Sequence, residues 1–326
     1  MSASEPFDGS TLHRWGDDRR FYSYTHYLRE RFGQRLLKIP IDAGFTCPNR
    51  DGTKGKGGCT YCLNEAFNPS YCTRTRSVTE QLEAGKAFYR RRNRKDEGVL
   101  AYFQAYSNTY APVSRLRALH EEALRAANVR GIVIATRPDC LCEEVLDYLQ
   151  ELSKKTYLCI EIGIESCRDE TLRHIHRGHD FLCTRHAIEQ LDARGIGCGG
   201  HLIFGLPKEN PGMWMEDIRL INALPLQMLK FHQLQIIRGT DIEKEYLARP
   251  DIFHILSFDS YIDFITTYIE RLRPDIAIER MAGAVPARYP ATAGWQGIRY
   301  DAVVKSVEQR LLERDTHQGA AFAAGT

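Results

Sequence analysis

No run of about 18 apolar residues occurs anywhere in the chain, so it offers no membrane-spanning helix. The N-terminus, MSASEPFDG, has neither a basic region nor an apolar core and does not read as a signal peptide. The expectation is a cytoplasmic protein whose thiols stay reduced. Net charge is almost absent: 44 Lys and Arg against 42 Asp and Glu give +2, which neither demands nor forbids a nucleic-acid partner. Internal repeats and long low-complexity linkers are also missing. No Ser/His/Asp arrangement or carboxylate pair stands out as hydrolytic machinery. Cysteine is lacking from the last 128 residues, yet ten cysteines crowd the rest, at 47, 59, 62, 72, 140, 142, 159, 167, 183 and 198. A secreted disulfide framework is shorter and denser in cysteine than this. The question is which of the ten carry chemistry.

At about 100–200 residues per domain, 326 residues make two domains or one large α/β barrel. From residue 35 onward, apolar runs of strand length alternate with longer segments of helical period, the pattern of a parallel sheet with crossover helices. Strands are expected at Leu36–Asp42, Leu100–Ser107, Gly131–Thr136, Tyr157–Ile164, Gly197–Phe204 and Leu229–Ile236, with a further one at Ile276–Arg280. Helices are expected between them, and again near Ser257–Leu272 and Tyr300–Leu312. Six strand–helix units suit a partial (β/α)6 TIM-like barrel better than a doubly wound sheet, although periodicity alone does not force the choice. The expected division is a 1–34 N-terminal extension, in which Tyr22, Tyr24, Tyr27 and Leu28 form one face of a short helix, a 35–250 core barrel and a 251–326 C-terminal helical extension. The Ala/Gly-rich tail from Asp315 is expected to fray.

The sharpest local signal is CPNRDGTKGKGGCTYC, running from Cys47 to Cys62 directly after the first strand. Barrels of this type place their active sites at the C-terminal ends of the strands. Cys59 and Cys62 can reach one metal centre from a single turn. Cys47 stands across an eleven-residue excursion rich in glycine, whose backbone N–H groups can approach anionic sulfur. Arg50, Lys54 and Lys56 outnumber Asp51 and favour thiolates. Three readings compete: packed reduced cysteines, which the polar, glycine-rich loop disfavours; a structural zinc site closed by Cys72 as fourth ligand; and a [4Fe–4S] cluster held by Cys47, Cys59 and Cys62, with one iron left open.

The loop resembles the cluster loop of the radical S-adenosylmethionine (SAM) superfamily in a wide-spaced form. Four later segments agree in order and place: YFQAYSNTYAP after the second strand, IATRPD after the third, EIGIES after the fourth and GHLIFGLPKE after the fifth. With KIPIDAGFT before the loop and TLRHIHRGHD after the fourth strand, the chain resembles the YhcC/YtqA (MnmL) family, related to the catalytic subunit of Elongator. The resemblance runs from Trp15 to Gln318. It implies the radical SAM partial barrel, a [4Fe–4S] cluster and SAM as cofactors. It places Tyr61 near the SAM adenine, Gln104, Ser107 and Asn108 in the segment that holds the amino group, Glu161 at the ribose and Arg177, with Arg173 as rival, at the carboxylate. The usual GGE triplet is replaced by Ser107, Asn108 and Thr109, and Glu165 stands where Gln is common.

Reductive cleavage of SAM on such a cluster yields a 5′-deoxyadenosyl radical, which takes a hydrogen atom from the substrate. The resemblance implies tRNA wobble uridine as that substrate, with a 5-carboxymethylaminomethyl side chain converted to 5-aminomethyl. It also implies an electron donor such as flavodoxin or ferredoxin and no membrane. No acetyltransferase segment follows the barrel, so Elongator's acetyl-CoA-dependent reaction is not expected. Two alternatives are a radical SAM enzyme acting on a peptide or small metabolite and a zinc-stabilised RNA-binding protein without catalysis.

Other residues carry plainer readings. Glu161 sits in an apolar strand, where a charge is costly unless paired or ligand-bound. His174, His176 and His179 lack helical metal-ligand spacing and read as a polar loop. Cys140 and Cys142 form only a CxC pair, and Cys159, Cys167, Cys183 and Cys198 read as core. The basic stretch Arg90–Lys95 complements a helix C-terminus or contacts an RNA backbone.

Overall fold

A computed structural model describes residues 12–90, 98–292, 294–295 and 297–323. Residues 91–97, which include all of the basic stretch Arg90–Lys95 except its first residue, lie outside the described residues. The chain runs α1 (Tyr24–Phe32), β1 (Leu36–Ile41), α2 (Val78–Arg90), β2 (Gly98–Phe103), α3 (Val113–Arg125), β3 (Val129–Thr136), α4 (Glu143–Ser153), β4 (Tyr157–Glu165), α5 (Asp169–His174), α6 (Phe181–Ala193) and β5 (Gly197–Phe204). It continues α7 (Pro211–Ala223), β6 (Met228–Gln233), α8 (Asp241–Ala248), α9 (Phe258–Arg271), β7 (Ala277–Arg280) and α10 (Tyr300–Glu313). All seven strands among the described residues are parallel and lie in sequence order, curled into a half-barrel. The six expected strand–helix units and the further strand near 276–280 are present.

Parallel strands covered on both faces bury alternate side chains in two different environments. Outward residues such as Ile39, Phe103, Ile132, Ile134, Ile160, Ile162 and Phe231 form the main core with the surrounding helices. Inward residues at the N-terminal end, Leu36, Leu100, Val133, Cys159, Met228 and Ala277, form a smaller core. Helix α1 closes that end by inserting Tyr24 and Leu28. Its Ser23 N-cap accepts from His26 N, and Gly33 ends it in the left-handed conformation (φ 66°), where a side chain would be strained. The segment before α1 also reaches β7, with Ile278 N donating to Tyr22 O at 2.7 Å. It thereby covers the open edge of the sheet.

Two local expectations change. The segment after β4 is a short helix, α5, rather than an all-loop connection. Its Leu172 and the following Ile175 are fully buried in an apolar cluster with Leu206, Ile236 and Ile242, so tertiary packing supplies what the polar sequence does not. The tail expected to fray is pinned through residue 323. Gln318, 1% exposed, donates to Arg273 O and Ile276 O at 3.0 and 2.9 Å and accepts from Tyr22 N at 2.9 Å. One amide thus satisfies three backbone groups that would otherwise be buried without partners.

Candidate active site: the cysteine-lined mouth of the half-barrel

A cavity of about 230 Å³ opens at the C-terminal ends of the strands. Cys47, Cys59 and Cys62 line one wall, joined by Tyr61, Gln104, Ser107 and Arg177. Glu161 and Lys230 line its floor, and His232 and Arg280 stand on the β6–β7 side.

Contacts that no single segment announces hold the cysteine loop. Asn49 donates through Nδ2 to His176 O and Arg177 O at 2.6 and 3.1 Å, and the same amide lies 3.6 Å from Cys59 Sγ. Arg50 Nη2 donates to Cys62 O at 2.8 Å. Lys54 pairs at 2.7 Å with Asp139, which also takes the Arg137 guanidinium at 2.8 and 2.9 Å. Burial works against the Asp139 carboxylate, but Arg137 and Lys54 outweigh it and hold the group at about 2. The RPD segment is therefore a clamp on the cysteine loop.

Arg177 is buried beside the thiols. Its Nη1 lies 3.8 Å from Cys59 Sγ, and Nη2 contacts Gly163 O at 2.8 Å and Glu165 Oε1 at 3.1 Å. Gly163 permits this, since a Cβ there would overlap the Arg177 guanidinium. Arg177 Nε is buried without a partner. Burial raises the pKa of the Cys62 thiol, with the neighbouring Cys59 adding to it and Arg50 opposing.

The donor set fits an anionic iron–sulfur cluster. Three thiols share one cavity wall, with guanidinium groups at Cys59 and Cys62 and an amide donor at Cys59. Cys72 cannot complete a closed zinc site there. It packs in the main core beside Tyr71 and Val78, and burial, followed by Asp42, pushes its thiol up to about 12. Among the described residues no three His, Cys, Asp or Glu side chains gather as ligands for a single metal ion, His174, His176 and His179 included. His174 instead bonds Glu245 at 2.8 Å.

The structure divides the remaining sequence candidates. Tyr61, Gln104, Ser107 and Arg177 share the cavity with the thiols. Gln104 is braced by Phe67 O and Asn68 Oδ1 at 3.1 and 3.0 Å. Asn108 does not line the cavity; it is fully buried and donates to Ala135 O at 2.9 Å. Glu161 lines the floor, but both its oxygens are engaged. Oε1 takes Lys38, while Oε2 takes Lys230 at 2.7 Å and His201 at 2.9 Å. Glu279 joins by accepting from Lys38 at 2.9 Å and Lys230 at 3.1 Å. In this conformation Glu161 anchors an ion network while lining the cavity floor. Lys38 and Lys230 were missed as site residues, although a charge inside LLKIPI or MLKFHQ is the same signal that singled out Glu161.

A second cavity of about 150 Å³ lies behind the β6 end, walled by Trp214, Tyr261, Ala282, Pro290, Trp295 and Ile298. No cysteine lines it.

Residues 47–221 match the radical SAM superfamily and residues 226–312 its C-terminal domain. The chain belongs to the radical SAM superfamily and, within it, to the YhcC/YtqA family. It is 36% identical over 327 residues to YtqA of Bacillus subtilis (strain 168), covering 99% of this chain and 97% of that protein. It is 27% identical over 115 residues to a tRNA uridine(34) acetyltransferase of Methanocaldococcus infernus, covering 34% of this chain and 21% of that one. The solved structure of Elp3 from Methanocaldococcus infernus shares the fold, with a TM-score of 0.65 at 15% identity over 87% of this chain. The present chain matches 63% of that structure's length. No helix among the described residues is long and apolar enough to cross a membrane.

Proposed function

We propose that this radical SAM enzyme binds a [4Fe–4S] cluster on Cys47, Cys59 and Cys62 and uses SAM to modify wobble uridine in tRNA, converting a 5-carboxymethylaminomethyl side chain to 5-aminomethyl. The observation that carries the reading is the set of three thiols on one wall of the barrel mouth, with Arg177 and Arg50 against them. When bound, the cofactor pair supplies a 5′-deoxyadenosyl radical. The chain's own part is to hold, orient and shield. Asn49, Lys54 and Asp139 fix the loop, and Arg177, buried beside Cys59, would offset thiolate charge and pair with the SAM carboxylate. Tyr61 would hold the adenine, and Gln104 and Ser107 the amino group. The tRNA substrate rests on the family and on the likeness to a tRNA uridine(34) acetyltransferase. A cytoplasmic setting and a flavodoxin or ferredoxin as electron donor belong to the same reading.

Mass spectrometry of tRNA nucleosides, with and without the reconstituted enzyme, tests the substrate. Absence of the aminomethyl product refutes it, and turnover of a free peptide or metabolite without tRNA binding favours the peptide or metabolite reading. Metal analysis tests the cofactor. About four irons per chain with absorption near 400 nm are expected for the cluster, whereas about one zinc and no iron would refute it. Cys59→Ala is expected to lose iron and deoxyadenosine formation together.

A further inference from the structure

The cations lining the cavity are nearly all accounted for. Arg177 is paired with Glu165, Arg137 with Asp139 and Lys230 with Glu161 and Glu279, and Arg50 is bonded to Cys62 O. Arg280 is the exception. It ends β7, lines the same cavity and has no carboxylate or carbonyl partner among the described residues. It lies beside Lys230 in the β6–β7 register. His232 shares this wall, with its ring 5.7 Å from that of His201. Burial lowers the His232 pKa well below its ordinary value, and the positive charge of Arg280 adds to the effect. The imidazole is thus neutral, able to donate or accept one hydrogen bond without adding charge. On the floor two lysines balance two glutamates, so the surplus charge of this wall resides on Arg280.

We infer that Arg280, with His232 beside it, forms a subsite for the carboxylate of the substrate side chain, across the cavity from the cysteines. This deepens the function proposed above and rests on it for the identity of the side chain. A guanidinium with free donors matches a carboxylate in two parallel hydrogen bonds, which fixes orientation as well as position. Held there by its carboxylate, a carboxymethylamino group has its methylene directed into the space between β6–β7 and the thiol wall. Arg280 is exposed at the rim of the cavity, so the subsite prefers the charged side chain because its carboxylate gains a charge-assisted hydrogen bond that the uncharged analogue lacks. Arg280 is a specificity-determining residue; it takes no part in forming the radical.

Two measurements on the reconstituted holoenzyme test this. The first compares turnover of tRNA bearing the carboxymethylaminomethyl group with tRNA bearing its carboxamide, for wild type, Arg280→Gln and Arg280→Lys. Arg280→Gln is expected to raise KM for the carboxylate substrate about 10- to 100-fold, the size of a charge-assisted hydrogen bond. It should also abolish the preference over the amide, while Arg280→Lys restores part of it. Iron bound per chain after reconstitution should stay at the wild-type level, showing that the thiol wall is intact. An unchanged preference in Arg280→Gln overturns the inference. The second measurement needs no tRNA. Saturation-transfer NMR is run with N-benzylglycine, which carries the same secondary amine and carboxylate, and with N-benzylglycinamide. Wild type should bind only the acid, and Arg280→Gln neither. Equal signals for the acid from both proteins overturn the subsite. Binding of the acid by a wild type that leaves tRNA unmodified upholds the subsite and refutes the tRNA reading.

Discussion

Replacing Glu161 with glutamine keeps the shape of the barrel floor and removes one charge from a balanced set of four. Glu161 is wholly buried between Lys38 and Lys230, with His201 on its second oxygen, and Glu279 pairs with the same two lysines. After the substitution two ammonium groups share one carboxylate. Breaking a buried pair from one side costs about 3–5 kcal/mol, because the surviving charge is left in low dielectric. Lys38 and Glu279 keep 13% and 14% of their side-chain surface, so some water reaches the network and the lower end applies, about 3 kcal/mol. That is a large share of the 5–15 kcal/mol typical of a folded domain. Guanidinium unfolding followed by circular dichroism should show a midpoint lower by roughly 0.5–1 M. Removing one cation as well, in Glu161→Gln/Lys230→Met, should recover part of the loss, with a coupling of at least about 1 kcal/mol.

The dependence on pH adds a second check. Burial raises the Glu161 pKa, but Lys230 and Lys38 outweigh it and hold the group well below its ordinary value of 4.5. A carboxylate depressed in this way contributes its full stability above pH 4.5 and loses it as the pH falls toward the folded-state value. The gap between wild type and Glu161→Gln should therefore be constant from neutrality down to that point and narrow below it. A midpoint shift under about 0.2 M, strict additivity in the double variant, or a gap that widens in acid would refute the account of the floor.

Two further outcomes follow from the thiol wall. Gly163→Ala places a methyl group on the Arg177 guanidinium and should cost about 1–3 kcal/mol. It should also shift the absorption of the proposed cluster by moving Arg177 from Cys59; an unaltered spectrum and midpoint would show that Arg177 does not depend on that strand. Asp139→Asn should lower the iron retained after anaerobic reconstitution, with far-UV circular dichroism unchanged. The Asp139 pKa is depressed from 3.8 to about 2, so its contribution is complete above pH 3.8 and lost as the pH falls through about 2. The variant's stability deficit should shrink only in that window. Wild-type iron content in Asp139→Asn would sink the clamp.

The sequence by itself determined the repeating architecture and the three thiols. Strand periodicity is a local property, and short apolar runs alternating with helices imply a parallel sheet, but only the tertiary structure decided that it curls into a half-barrel and not a doubly wound sheet. CxxC with a third cysteine across a glycine-rich loop is equally local, and so is the charge argument at Glu161. That argument found one member of the floor and stopped, because pairing is decided between strands. Lys38, Glu161, Lys230 and Glu279 come from β1, β4, β6 and β7 and meet only once the sheet curls. The same curl decided the fate of Cys72. Ten residues from Cys62 in the chain, it faces the helical core instead of the cavity. Asn108 was also placed by the tertiary structure, because the turn after β2 directs its amide to β3. The pinned tail is held by the Gln318 side chain and by backbone bonds such as Gly319 N to Ile269 O and Ala321 N to Glu270 O, none of which composition reveals. Arg280 is one of many arginines in the sequence; its lack of a partner is a property of the surrounding space. Local patterns fix elements and ligand spacing, whereas burial, pairing and the absence of a partner depend on what distant segments bring alongside.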